Sequence, residues 1–537
     1  MSKNLSELSA RQGLKNNLFE NLAKTDLTKK EIAKNFLIGD SSVTGAMSFY
    51  DFLKDDNKDK KVYVCNGSAC LCAGTQDELT QQLEHYFDKD QIGHMTCLGR
   101  CHENGAFHYD GQNYSALSSG QIGNVINDKQ VAKHQDSYHC ENMGEKILTG
   151  QYLTIEDFKQ AFETVIKQGK TNTLKEIKQS QLRGRGGAGF PMSFKLESAM
   201  NTQSDQKYII CNADEGDPGA YSDRYLLEQQ PYSVLFGILV SAYIIGAEYG
   251  VLYIRAEYPE SIKIIDQAIK KLTPYIDSLE IDFTFKIISA QGAYICGEET
   301  ALINSIEGQR PEVRTRPPFP TQQGLFNKPT VVNNVETLAS IYSIITKGGD
   351  HYVSIGTDTS KGTKLVSLDS FFNKPGIYEV DMGTPLTDVF ENLGGGLKQN
   401  IKAVHIGGPL GGIVPADKFK DLNIDFESFA SQGFLLGHAS VVCIPEDFPM
   451  INYLAHLFEF AAYESCGKCF PCRLGTKRGE ELFKNAINEG VKIDRTLLND
   501  LLDTLEQGSL CAHGGGIPLP VKNALMYFKD ELRDHIV

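Results

Sequence analysis

Three cysteines packed into seven residues, Cys466-Gly-Lys-Cys469-Phe-Pro-Cys472, with a fourth, Cys511, at a distance, constrain this chain more than any other feature. A C-x2-C-x2-C run wraps three thiolates around one face of a cubane, and a remote fourth thiolate holds the remaining iron. Structural zinc usually arrives as two separated pairs, so the uneven three-plus-one set reads as a [4Fe-4S] cluster. Any fold proposed for the C-terminal region must bring these four side chains together.

A second set lies near the other end: Cys65 and Cys70 with four residues between them, then Cys97 and Cys101 with three between. Two pairs on two loops suit a [2Fe-2S] cluster, one pair to each iron, and the symmetry leaves zinc as the competing reading. Cys72 is left out because the C-x4-C pair already completes the set. It reads, with Cys140, Cys211, Cys296 and Cys443, as a small buried hydrophobe. The N-terminus mixes both charge signs and has no apolar h-region, so it is not read as a secretory signal; with thirteen cysteines, metal ligation is then favoured over disulfides.

The 537 residues exceed what one core supports and imply about three or four domains. Hydrophobic residues make up 41% and charged residues 23%, which suits a globular chain, and the net charge of −15 argues against a nucleic-acid surface. Residues 1–60 read as a polar helical segment. Residues 61–139 read as a small α/β unit ending in a His-, Gln- and Asp-rich linker, and 140–339 as a long α/β region. Short Gly-punctuated strands mark a β-rich insert over 340–421, and 422–537 read as helical. The longest apolar stretch, Ser233 to Gly250, is interrupted by Ser and Tyr. It reads as a buried core helix too short and mixed to span a membrane.

Gly184-Arg-Gly186-Gly187-Ala-Gly189 contains the string G-x-G-x-x-G, but LKEIKQSQLR precedes it where a dinucleotide fingerprint needs a hydrophobic strand. The glycines read as a loop whose N–H groups approach a phosphate or ring ahead of a helix, with Lys195 adding positive charge; a merely flexible loop is the other reading. Asn212-Ala-Asp214-Glu215-Gly-Asp217 packs carboxylates at a strand end, as a solvated turn, a metal site or acceptors for sugar hydroxyls and an amide. Glu298 and Glu299 form a further acidic pair. The stiff Arg316-Pro-Pro-Phe319-Pro fixes an aromatic ring suited to stacking, and Asn333-Asn334 offers paired amides.

Together these segments resemble the NADH-binding flavoprotein subunit of respiratory complex I and the diaphorase subunits of NAD-linked hydrogenases and formate dehydrogenases. RGRGGAGFP, CNADEGDPGAYSDR, GAYICGEETALINSIEGQRP, PPFPTQQGLFNKPTVVNNVET, ESCGKCFPCRLGT and SLCAHGGG carry the likeness over residues 183 to about 516. CNGSAC and CLGRCHENGAF resemble the thioredoxin-like [2Fe-2S] subunit, here fused to the same polypeptide. The resemblance implies an α/β multidomain fold: an N-terminal thioredoxin-like ferredoxin domain, a central FMN/NADH-binding domain, a small β-grasp domain and a C-terminal helical [4Fe-4S] domain. It implies FMN contacts from Gly184, Gly186, Lys195, Asn212, Asp214, Glu215, Tyr294, Gly297, Glu298, Val332, Asn333, Asn334 and Thr337. Phe190, Lys195, Asp217, Glu299 and Phe319 would line the NADH site, with Asp217 standing where the family usually has Glu. No side chain is expected to act as a catalytic acid, base or nucleophile.

The function expected is NADH oxidation through FMN and the two clusters into a partner subunit, an iron–sulfur subunit or the catalytic subunit of a hydrogenase or formate dehydrogenase. The expected location is the cytoplasm, including the cytoplasmic face of a membrane complex, without direct membrane insertion or nucleic-acid binding. Glu299 and Asp217 should repel the 2′-phosphate of NADPH and favour NADH. The competing readings are an electron-transfer or scaffold protein with structural clusters, and a Rossmann-type NAD dehydrogenase.

Overall fold

The computed structural model describes residues 13–15, 17–24, 27–127, 137–150, 152–279 and 281–537. Three sheets carry the architecture. The first has four strands in the order Ile92–Met95, Val62–Cys65, Phe107–Tyr109, Gln112–Tyr114, parallel in its first pair and antiparallel in the others. Val62 and Val64 point into a core closed by Leu79 and Leu83 of one helix and Ile122 and Val125 of another. That leaves Cys65 at the strand's last position, where the chain turns out of the sheet.

The second sheet is fully parallel, in the order Thr284–Ala290, Tyr249–Arg255, Tyr208–Ala213, Thr330–Asn334. YIICNA is buried almost throughout, as a central parallel strand covered on both faces must be. The apolar stretch forms the buried helix Pro231–Ile245, which starts on Pro231 and stops at Gly246 in the left-handed conformation (φ +75°). A Cβ at Gly237 would collide with the carbonyl of Leu338, so only glycine lets this helix lie so close to the helix Val335–Ala339.

The third sheet has six strands, in the order Gly412–Pro415, Ile401–Ile406, Ser440–Pro445, Thr363–Leu368, Gly376–Asp381, His139–Met143. It reaches beyond the 340–421 insert read from the sequence, taking a strand from each side of it. SVVCIP is a continuous apolar run that packs in the middle of the sheet, although it lies in the segment read as helical. HCENM has no alternation to announce a strand; it pairs in parallel with Gly376–Asp381 and covers that edge. Cys140 is therefore exposed on an edge strand, which corrects its reading as a buried hydrophobe. Cys72, Cys211, Cys296 and Cys443 are buried as expected.

The N-terminal helices Leu18–Lys24, Lys29–Asn35 and Asp40–Met47 precede a strap laid on the central region. The amide of Asn17 donates to Ile306 O at 2.7 Å, the hydroxyls of Tyr50 and Ser305 meet at 2.8 Å, and Asp51 N donates to Gly292 O at 2.8 Å. At the other end, Met450–Tyr463, Phe470–Asn488, Arg495–Gly508 and Pro518–Tyr527 form the helical region. Among the described residues, no helix is long and apolar enough to cross a membrane.

Candidate active site and cluster nests

The N-terminal thiols converge. Cys97 Sγ and Cys101 Sγ are 3.4 Å apart, and a Cβ built on Gly67 would stand 3.5 Å from Cys97 Sγ and 3.6 Å from Cys65 Sγ. Two backbone N–H groups aim at sulfur: Gly99 N at Cys97 (3.3 Å) and Gly219 N at Cys101 (3.2 Å). The second bond comes from the central region, so the nest is closed from outside its own unit. Cys70 raises the Cys65 thiol well above its ordinary range, and Cys97 and burial do the same to Cys101. At Cys97 the bond from Cys101 works downward, but Cys65 and burial outweigh it and push the thiol up to about 12. Crowded buried thiols of this kind suit a metal that displaces their protons, and amides aimed at sulfur suit a cluster that carries negative charge.

The C-terminal set meets in the same way, although Cys511 is remote in sequence. Burial pushes the Cys472 thiol up to about 12, against a Ser465 hydroxyl 3.2 Å away, and Cys469, Cys511 and Cys466 push in the same direction. Burial also pushes Cys511 up to about 11, with Glu298 and Cys466 adding to it. Glu298 belongs to the acidic pair, so this nest lies within electrostatic reach of the glycine-loop site. Both donor sets fit iron–sulfur clusters on the chemistry of their ligands.

Between the nests, the glycine loop follows the long helix Ile155–Gln179 and leads into the helix Met192–Asn201; no strand precedes it. That disposes of the dinucleotide-fingerprint reading. The loop is pinned at each end: Gly184 N donates to Phe190 O (2.9 Å), and Arg185 N to Thr337 Oγ1 (2.9 Å). At Gly186 a Cβ would press to 3.0 Å of the Asn334 Cβ, so a larger residue would push the loop off the Asn333-Asn334 strand end. The strand ends of the parallel sheet deliver the other groups. Asn212 donates to Gly297 O (2.8 Å) and accepts from Asp214 N (3.2 Å), and Asp214 is buried with its carboxyl held well above the ordinary range. Glu298 caps the helix Glu299–Ile306 through the N–H groups of Thr300 and Ala301, both at 2.9 Å.

At the mouth, Lys195 Nζ bonds Glu299 (2.9 Å) and Val332 O (3.1 Å), while Arg316 bridges Glu298 (2.6 Å) and Glu299 (3.1 Å). Phe190, Phe194 and Phe319 are exposed aromatic rings, and Phe190 meets Phe194 edge-on with centroids 5.5 Å apart. Ser198 Oγ donates to Thr321 Oγ1 (2.9 Å), which ties the helix Met192–Asn201 to the Phe319 turn. Asp217 is half-buried behind Tyr294, and burial lifts its carboxyl above the ordinary range. Tyr294 reaches the other way as well: its ring lies 5.0 Å from Phe460 and 5.7 Å from His513, next to the Cys511 loop.

The segments that carry the residues expected on FMN thus meet at one site. Its polar groups fit a phosphorylated, amide-bearing ligand: amide N–H groups on a glycine loop, a lysine, paired asparagines and buried carboxyls. Asn333 Nδ2, Asp223 Oδ1 and both ring nitrogens of His438 are buried there without a hydrogen-bond partner. Buried polar atoms left over in a fold mark where a polar ligand or water belongs. Sequence reasoning missed Phe194, Asp223 and His438 and gave Arg316 no role. Arg316 and Asp223 sat inside motifs already quoted; nothing in local spacing could have joined His438 to Glu215.

The comparisons with known proteins follow these three regions. Residues 177–343 match the family described as the Nuo51 FMN-binding domain. Residues 452–535 match the NADH-ubiquinone oxidoreductase-F iron-sulfur binding region, and 23–130 the thioredoxin-like [2Fe-2S] ferredoxin family. The chain is 42% identical over 369 residues to NADP-reducing hydrogenase subunit HndC of Solidesulfovibrio fructosivorans, covering 67% of this chain and 75% of that protein. It is 31% identical over 531 residues to NAD-reducing hydrogenase HoxS subunit alpha of Cupriavidus necator, covering 91% and 86%. To the NADH-quinone oxidoreductase F subunit of Escherichia coli the identity is 34% over 419 residues, covering 76% and 94%. A crystal structure of an NAD+-reducing [NiFe]-hydrogenase in the air-oxidized state superposes with a TM-score of 0.88 at 27% identity, covering 98% of this chain and 94% of that one.

Proposed function

The chain belongs to the family of NADH-quinone oxidoreductase F subunits and NAD-reducing hydrogenase alpha subunits, and from that premise we propose that it oxidises NADH within a multi-subunit redox assembly. FMN and the clusters supply the chemistry, two-electron acceptance from the nicotinamide followed by single-electron relay to a partner subunit. The partner is a hydrogenase, formate dehydrogenase or complex I type subunit, and the assembly works in the cytoplasm.

The chain's own part is to bind, orient and tune. Gly184, Gly186, Asn333, Asn334 and Thr337 would contact the cofactor beside the loop N–H groups. Asn212, Asp214, Glu215, Tyr294, Gly297, Glu298 and Val332 close round the remainder. Lys195 serves both ligands, and Phe190, Phe319, Asp217 and Glu299 receive the dinucleotide. Fixing two planar reactants face to face is where such a site gains its rate, since orientation replaces a chance encounter. Cys466, Cys469, Cys472 and Cys511 hold the [4Fe-4S] cluster, and Cys65, Cys70, Cys97 and Cys101 the [2Fe-2S] cluster. One observation carries the reading: Tyr294 lies against His513 beside the Cys511 loop and Glu298 acts electrostatically on Cys511, so the proposed donor site and first acceptor are neighbours.

Electron paramagnetic resonance on anaerobic protein, before and after NADH, tests it. Two distinct reduced-cluster signals that grow on NADH addition are expected. Iron- and FMN-replete protein with no NADH-dependent signal would refute NADH as the electron donor and leave the scaffold reading standing.

A further inference from the structure

His438 lies more than two hundred residues from the acidic segment in sequence, yet its Nε2 stands 3.6 Å from Asp223 Oδ2 and 3.8 Å from Glu215 Oε1. All three side chains are buried. Asp223 is in turn bonded by Asn334 Nδ2 at 2.7 Å, and a Cβ on Gly187 would lie 4.0 Å from His438 N. The main chain at His438 therefore lies against the glycine loop, and its imidazole stands beside the Asp223 carboxylate that Asn334 bonds. Two buried carboxylates beside one imidazole can hold a metal ion, but Glu215 has no oxygen to spare. Its Oε1 accepts from Asp223 N (2.7 Å) and the Ser222 hydroxyl (3.4 Å), and its Oε2 accepts from Arg224 N (3.0 Å) and the Tyr258 hydroxyl (3.1 Å). Ion-pairing is the use this geometry leaves for His438.

We propose that His438 is a positioning residue for the flavin: paired with Asp223 and Glu215, it offsets carboxylate charge in the pocket and favours the reduced cofactor over the oxidised one. The proposal rests on the FMN reading above. A hydride brings two electrons and one proton from NADH, so the ring gains one negative charge as NAD+ leaves. Carboxylate charge at Asp223 and Glu215 without a facing cation would oppose that gain, and an imidazolium beside them relieves it. Burial works against a charged imidazole, but Asp223 outweighs it and, with Glu215 adding, lifts His438 to about 9. Lys364 is the opposing cation, and Asp217 is drawn down by the same imidazolium. The charge is thus present at neutral pH and is lost as pH rises through about 9.

The test is a redox titration of bound FMN in the full-length holoprotein, with FMN occupancy measured alongside. H438Q should weaken reduced FMN about tenfold relative to oxidised FMN, which for a two-electron couple lowers the potential by about 29.6 mV. H438K should restore it, because the charge and not the ring is at issue. An unchanged potential in FMN-loaded H438Q overturns the proposal, and so does an equal fall in H438Q and H438K, which would mark a structural role. Should H438Q fail to hold FMN, the wild-type protein decides. Its potential should fall by an additional step of about 29.6 mV as pH passes through 9, for the same tenfold ratio, and a uniform slope overturns the proposal. Wild-type protein that binds no FMN would sink the functional reading itself.

Discussion

The ion pair between Glu336 and Lys364 joins the flavin pocket to the six-stranded sheet, and its removal should cost more than any surface change on this chain. Both side chains are fully buried. Glu336 lies in the short helix that Asn334 caps, and Lys364 in the strand Thr363–Leu368. Glu336 also accepts from Leu365 N at 3.0 Å, and Lys364 donates to Leu365 O at 3.0 Å. In E336Q the amide oxygen can still accept from Leu365 N, but the ammonium of Lys364 is left without its counter-charge. Removing one partner of a buried pair costs about 3–5 kcal/mol. An effective dielectric of about 20 gives the same scale, roughly 4 kcal/mol at ~4 Å. The double change E336L/K364M removes the charge problem and leaves chiefly the unsatisfied Leu365 N–H, a cost of about 1–3 kcal/mol. The double variant should therefore be the more stable of the two, an inversion that simple contact counting does not produce. Urea unfolding followed by far-UV circular dichroism and FMN release reads both quantities, and FMN should leave early in E336Q because Asn333 and Asn334 sit on the same turn. A loss below about 1 kcal/mol in E336Q, or a double variant weaker than the single, would refute the reasoning.

Three further outcomes follow from the site and its surroundings. Phe319→Ala should raise the KM for NADH about tenfold with little change in the FMN content, since a base on an aromatic face is worth roughly 1–3 kcal/mol; an unchanged KM would remove Phe319 from the dinucleotide site. Glu299→Gln takes one negative charge from a mouth that keeps Lys195 and Arg316, so kcat/KM for NADPH should rise several-fold while that for NADH falls, and wild-type protein equally active with NADPH would defeat the expected NADH preference. His405 is buried neutral against the Tyr453 hydroxyl (2.9 Å), and burial lowers it to about 4, whereas the unfolded chain binds that proton near 6.5. The unfolded state thus holds more protons between those values, and stability should fall as pH drops through the 6.5-to-4 window by roughly 3 kcal/mol at most from this group. A urea midpoint that falls as steeply over the same window in His405→Gln would show that the drop comes from elsewhere.

What could be read along the chain and what could not divides by the range of the interaction. The cysteine sets were legible because cluster chemistry demands thiols at fixed local spacing, and the strands Tyr208–Ala213 and Tyr249–Arg255 show why the long α/β region was too, since buried parallel strands are written as near-continuous apolar runs. The string G-x-G-x-x-G could be set aside for an equally local reason, the helix that precedes it. SVVCIP was misplaced because a short apolar run has the same local appearance in a helix and in a strand; its neighbours Thr363–Leu368 and Ile401–Ile406 decide, and both lie well away in sequence. HCENM is harder still, since an edge strand that only covers backbone groups needs no side-chain pattern at all. The same logic explains the site. Glycines, lysine and asparagines that bind a cofactor act through motifs, whereas the groups that set its charge act through space. Gly219 N reaches Cys101 from another unit, Arg316 neutralises two carboxylates from a proline-rich turn, and His438 meets Glu215 and Asp223 across the fold. The residues proposed to contact the cofactor can therefore be named from motifs, while the charges proposed to favour one nucleotide and one redox state of the flavin meet only once the three sheets are assembled.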